Sequence, residues 1–191
     1  MKIGLFFGSF NPIHVGHLII ANYMASQTDL NKVWLVVSPH NPLKSKKSLA
    51  NDYDRLHLVR LGIGDNPLLQ ASNVEFDLPK PSYTIDTLTY LQEAHPEHEF
   101  ALIMGGDNLE TLHLWKNYEQ LLERHQIYVY QRPGAKAGQL GDHPHVHLHE
   151  APMLDISATY IRKTIQAGKS IRYLVPEAVF DYLDGSQMYR K

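Results

Sequence analysis

The chain predicts an α/β fold: a doubly wound, mostly parallel sheet with helices on both faces, in which residues 1–191 form a single domain. Three observations carry this. Short apolar runs rich in β-branched residues alternate with longer stretches of helical periodicity, the order that places helices over a parallel sheet. The runs are apolar at successive positions, as strands covered on both faces require. With 191 residues, 43% of them hydrophobic and 20% charged, the chain is large enough for one full core, and no repeat, linker or low-complexity segment divides it.

The first strand is the apolar run Ile3 to Phe7. The chain turns through Gly8-Ser9-Phe10-Asn11-Pro12 and enters a helix predicted over about Val15 to Gln27. His14 and His17 stand between strand and helix. Three positions apart on a helical turn, they share a face and point above the helix start. That end carries unpaired N–H groups and the positive end of the helix dipole, which suits an anion, most often a phosphate. Gly8 and Gly16 fit places where backbone turns tightly or comes close to a ligand.

The decapeptide Gly8 to His17 resembles the GxFxPxHxGH signature of the nucleotidyltransferase superfamily, with six fixed positions in ten. The resemblance implies a Rossmann-like fold. It also implies that His14 and His17 are catalytic and hold nucleotide phosphates, with Gly8, Ser9 and Phe10 around the nucleotide. Asn11 stands where many members carry Asp, and its expected role is a neutral one in shaping the turn.

Lys32 to Ser38 reads as the second strand. Two prolines, Pro39 and Pro42, then break regular structure. The loop leaves the carboxyl end of a strand, where open α/β sheets bind ligands. Family resemblance assigns Lys44 to the triphosphate and leaves Lys46 and Lys47 in solvent. Asn51-Asp52 caps the next helix, whose apolar stripe is Leu56, Leu58, Val59 and Leu61. Asp52, Tyr53 and Arg55 could face the nucleotide, but a surface ion pair is the expected use. Leu68 to Phe76 reads as the third strand.

Next comes Pro81-Ser82-Tyr83-Thr84-Ile85-Asp86-Thr87-Leu88. Pro81 imposes an extended approach, Ser82 or Thr84 can cap a helix running to about Ala94, and Asp86 complements its dipole. The stretch also resembles a hallmark of nicotinate mononucleotide adenylyltransferases. By that resemblance Ser82, Tyr83 and Thr84 line the nicotinate pocket, where free backbone N–H groups suit a pyridine carboxylate.

Glu99 to Met104 is the fourth strand and ends in Gly105-Gly106-Asp107-Asn108. Glycines there let a nucleotide approach the backbone, and Asp107 suits ribose hydroxyls. Trp115 keeps the stacking role that relatives give it. Lys116 replaces the aromatic residue that often follows, and Tyr118 reads as core. Gln126 to Tyr130 is the fifth strand, and Arg132-Pro133-Gly134 resembles an Arg-Pro-Gly of relatives, which implies Arg132 near the adenine. His143, His145, His147 and His149 alternate and would share one strand face. They read either as a metal-binding face or, as favoured here, as the solvent side of a strand whose Val146 and Leu148 turn inward. No metal site is expected. Asp155 to Arg162 resembles the superfamily motif ISSTxIR, with Ala158 in place of its middle Ser. Ser157 is the expected cap, and Ser157, Thr159 and Arg162 the expected phosphate contacts. Pro176 opens a last helix over Glu177 to Leu183.

A formal net charge of −2 is not the basic footprint of a nucleic-acid binder. The chain has no cysteine, which excludes disulfides, zinc–thiolate sites and thiol nucleophiles. No apolar run has the length of a membrane span, and the first residues enter a strand with no leader-like pattern. A cytoplasmic protein is expected, its oligomeric state open, homo-oligomer included. Taken whole, the resemblance implies adenylyl transfer from ATP to nicotinate mononucleotide, with Mg2+ carried in on ATP. A phosphopantetheine adenylyltransferase, a cytidylyltransferase or a non-catalytic nucleotide or metal sensor are the alternatives.

Overall fold

The computed structural model describes residues 1–39, 49–131 and 138–190. Six strands form one sheet: β1 (Lys2–Gly8), β2 (Lys32–Val37), β3 (Leu69–Ser72), β4 (Glu99–Gly105), β5 (Ile127–Tyr130) and β6 (Val146–His149). Their spatial order is β3-β2-β1-β4-β5-β6, and all five pairings are parallel. The chain winds outward from β1 in one direction and from β4 in the other. The crevice beyond the carboxyl ends of these two central strands is where such sheets bind ligands.

Around the sheet lie α1 (Val15–Gln27), α2 (Asp52–Ile63), α3 (Thr84–Ala94), α4 (Gly106–Glu110), α5 (Tyr118–Arg124), α6 (Ala158–Gln166) and α7 (Glu177–Asp184). Strand pleating deals successive residues to two cores. Phe6, Val33, Leu35, Val37, Ala101 and Ile103 join one with residues of α1, α2, α6 and α7. Ile3, Leu5, Val36, Phe100, Leu102 and Met104 join the other with residues of α3, α4 and α5. Continuous apolar strands are thus explained by burial on both sides. Among the described residues no helix is long and apolar enough to cross a membrane.

The structure departs from the sequence reading at four elements. The third strand ends at Ser72, and Val74–Phe76 forms a 3-10 turn that buries Glu75. Strand β3 is a sheet edge with β2 as its one neighbour, so nothing extends the pairing beyond Ser72. Two short helices, α4 and α5, occupy stretches for which the sequence reading gave no helix. At β6 Val146 is buried, but Leu148 is 38% exposed rather than inward. His147 and His149 instead lie against the Tyr128 ring, with centroids 5.2 and 5.7 Å away. The aromatic ring on the neighbouring strand covers the histidine face, so this edge strand is partly buried on both sides.

Candidate active site

The signature turn leaves β1 at the middle of the sheet, and His14 is the N-cap of α1. The two imidazoles stack with centroids 3.6 Å apart at 25°. The His14 backbone N–H donates to His17 Nδ1 over 3.3 Å, which orients the second ring. His14 is 6% exposed, and burial pushes its imidazole down from 6.5 to about 4. At neutral pH it is therefore a neutral hydrogen-bonding group. Its Nδ1 is buried with no partner among the described residues. The first N–H of α1 is already committed, because Val15 N donates to Leu174 O at 3.1 Å.

Phe10 is placed differently from the expectation. Its side chain is 1% exposed, with edge-on contacts to Phe6 at 5.9 Å and His17 at 5.1 Å between centroids. It braces His17 from the core and does not line the cleft. Phe10 has φ +43°, a left-handed conformation rare for a bulky residue, and one that clusters at functional sites. Gly8 is explained by the same ring: a Cβ there would lie 2.8 Å from Phe10 Cζ. A Cβ at Gly16 would lie 3.1 Å from His14 Nδ1. These glycines make room for the motif's own rings.

Four partners from distant segments, Arg55, Arg162, Ala50 and Tyr189, hold the turn from outside. Arg55 was expected at the surface but is fully buried. Its guanidinium donates to Ser9 O at 2.5 Å, Ser38 O at 2.9 Å and Ala50 O at 3.1 Å, and pairs with Asp52 at 2.7 Å. It ties the end of β1 to the end of β2, a use that matches the rigid fork of Arg. Arg162, from α6, donates Nη1 to Asn11 O at 2.7 Å. Asn11 Oδ1 accepts from Ala50 N at 3.2 Å and from the Tyr189 hydroxyl at 2.7 Å. Asn11 is thus a structural hub as well as a turn residue.

A cleft of about 650 Å³ opens above the turn. Ser9, His14, His17 and Asp107 line it, facing Ser157, Thr159 and Arg162. Ser157 is the N-cap of α6 and accepts from Tyr160 N at 3.2 Å, while Thr159 Oγ1 accepts from Arg162 Nη2 at 3.3 Å. Gly105 ends β4 beneath the Tyr130 ring, 3.2 Å from where a Cβ would stand. Burial and the nearby Asp107 carboxylate push the Tyr130 phenol up to about 12. Lys44 and Arg132 lie outside the described residues.

The expected nicotinate residues gather elsewhere, at the start of α3. Neither Ser82 nor Thr84 caps that helix. Tyr83 occupies the N-cap position without a side-chain cap. Ser82 Oγ is buried without a partner among the described residues. Lys116 Nζ stands 4.7 Å from the Tyr83 ring centroid and pairs with Asp86 at 2.8 Å. Trp115, the neighbour of Lys116, is half-buried against the core. Glu75, which sequence reasoning missed, joins this region to the cleft. Its carboxyl accepts from Thr87 Oγ1 at 3.0 Å and bonds the cleft residue Ser38, and burial raises its pKa. Arg55 had a readable signal, since it falls on the helical stripe of Val59; Glu75 and Tyr189 had none.

The family model for cytidylyltransferase-like domains matches residues 5–164. A protein of Flavobacterium psychrophilum named "Probable nicotinate-nucleotide adenylyltransferase" is 54% identical, with 100% of both chains covered. One of the same name from Cytophaga hutchinsonii is 54% identical over 99% of this chain and 98% of its own. In fold the chain is similar to the Plasmodium falciparum nicotinic acid mononucleotide adenylyltransferase solved in complex with NaAD. The TM-score is 0.80 at 19% identity, covering 98% and 97% of the two chains. A cleft built by the signature turn and α6, and full-length likeness to such relatives, lead to one statement: this chain belongs to the nicotinate-nucleotide adenylyltransferase family, within the cytidylyltransferase-like nucleotidyltransferases.

Proposed function

We propose that the protein transfers the adenylyl group of ATP to nicotinate mononucleotide, giving deamido-NAD and pyrophosphate. A 5′-phosphate oxygen of the mononucleotide attacks the α-phosphorus of ATP. As that bond forms, the bond from the α-phosphorus to the bridging oxygen breaks, and its electron pair leaves with pyrophosphate. The nucleophile is already an anion, so no general base is called for. The protein's task is positioning and charge stabilisation.

In this reading His14 and His17 donate to phosphate oxygens as charge develops. Ser157, Thr159 and Arg162, with Lys44 from the neighbouring loop, hold the departing pyrophosphate, and Arg162 suits that anion as a planar fork. Ser9 borders the phosphates, while Gly8 and Phe10 act through the packing of the turn. Gly105 and Asp107 border the ribose. Ser82, Tyr83, Thr84 and Trp115 receive the pyridine ring. Magnesium bound to the triphosphate would offset its charge; among the described residues no cluster of three or more His, Asp or Glu could hold the ion by itself. The observation that carries the reading is the 2.7 Å bond from Arg162 to Asn11 O, which sets a guanidinium against the signature turn.

The test is pyrophosphate release from ATP and magnesium with nicotinate mononucleotide, nicotinamide mononucleotide or 4′-phosphopantetheine. Preference for the acid mononucleotide is expected, with His17→Ala lowering kcat by about 10²–10³-fold, as when one such donor is lost. Turnover of phosphopantetheine instead would overturn the pyridine pocket. Absence of turnover with all three would overturn the reaction.

A further inference from the structure

We infer that Tyr189, in the tail after α7, is a positioning residue of the nucleotide cleft, acting through its hydroxyl on Asn11. The inference deepens the reading of the cleft given above and rests on it. Tyr189 lies beyond the matched residues 5–164 and belongs to none of the motifs.

Asn11 is 4% exposed and lines the cleft floor, where four distant segments meet. Its carbonyl accepts from Arg162 at 2.7 Å. Its Oδ1 accepts from Ala50 N at 3.2 Å and from Tyr189 at 2.7 Å. The Ala50 N–H can only donate, so Oδ1 must face it, and Tyr189 must donate as well. Two donors on one oxygen fix the plane of the carboxamide, and with it the residue whose carbonyl seats Arg162. Burial holds the Tyr189 phenol above its ordinary pKa against the opposing fields of Arg55 and Arg162. The proton therefore stays on the hydroxyl.

The tail is built to deliver that hydroxyl. Tyr189 has φ +64°, a conformation L residues rarely adopt and one that persists only when neighbours impose it. The neighbours are present on both sides. Met188 N donates to Ser186 Oγ at 3.2 Å, and Met188 and Tyr189 both pack against the core. Arg190 donates to Ser186 O at 2.8 Å and to Asp184 O at 2.9 Å.

The experiment is a double-mutant cycle with Tyr189→Phe, Asn11→Ala and their combination. It reads kcat, KM for ATP and for nicotinate mononucleotide, calorimetric ATP affinity and Tm. Tyr189→Phe keeps the ring and removes one neutral hydrogen bond. It is expected to lower kcat/KM for ATP and the ATP affinity by about two- to tenfold, with KM for the mononucleotide unchanged. The double variant is expected to be no worse than Asn11→Ala alone. Tyr173→Phe, the same change at a tyrosine that is 84% exposed, serves as control and is expected to match wild type. Wild-type kinetics in Tyr189→Phe, losses that multiply in the double variant, or equal rises in both KM values would overturn the inference. Wild-type protein that binds ATP but turns over no mononucleotide would overturn the proposed reaction, and the ATP-affinity cycle would then decide the role of Tyr189. Wild-type protein that does not bind ATP would overturn both.

Discussion

His14 makes stability depend on pH in a way that can be worked through in advance. Burial lowers its pKa from 6.5 to about 4, so the folded protein resists a proton that the unfolded chain accepts. The contribution is present in full above the unfolded value and is lost as pH falls from 6.5 toward about 4. At about 1.4 kcal/mol per pKa unit, the whole effect is roughly 3 kcal/mol, and about 2 kcal/mol of it is lost between pH ~7 and pH ~5. Asp29, held below its ordinary range by Lys2 and Tyr128, falls in the same direction, while Glu75, raised by burial, opposes it. The single-site effect must therefore be read as a difference. Urea unfolding of wild type and His14→Gln is measured at both pH values. The variant is less stable at neutral pH, and the gap narrows by about 2 kcal/mol at the acid end. An NMR titration of the His14 ring supplies the direct check, with a midpoint well below the ordinary range. A constant gap between the two proteins, or an ordinary midpoint, would refute the claim that burial keeps this imidazole neutral.

Two further outcomes follow from the packing. Arg55→Met leaves three backbone carbonyls and Asp52 without their partner, so unfolding free energy should fall by about 3–5 kcal/mol, read by urea titration. Arg55→Lys should recover only part of it, because one ammonium cannot reach all the acceptors that the fork reaches. Gly8→Ala places a methyl 2.8 Å from the buried Phe10 ring. It should destabilise by about 1–3 kcal/mol and lower kcat, since the displaced ring is the one that braces His17; an unchanged Tm and kcat would show that the ring can yield.

The fold was legible in the sequence because its signals are local or periodic. Apolar runs covered on both faces marked β1, β2, β4 and β5, and the helix over Val15–Gln27 has the bounds its pattern predicts. Ser157 capped α6 as a hydroxyl before an amphipathic run should. The pairing of His14 and His17 was legible too, since their spacing puts both rings on one turn whatever surrounds them. Residues whose partners lie far along the chain were not. Arg55 falls on an apolar helical stripe, but its partners are decided only when β1 and β2 bring the Ser9 and Ser38 carbonyls to it. Phe10 resembles a ligand contact until its φ of +43° turns the ring into the core. The histidines of β6 are half-buried because the Tyr128 ring is on the next strand. Asn11 and Tyr189 are 178 positions apart, and their bond exists only once the tail has packed. Periodicity and spacing determine which elements form and where the signature turn stands. The close packing of distant side chains decides which residues hold that turn in place.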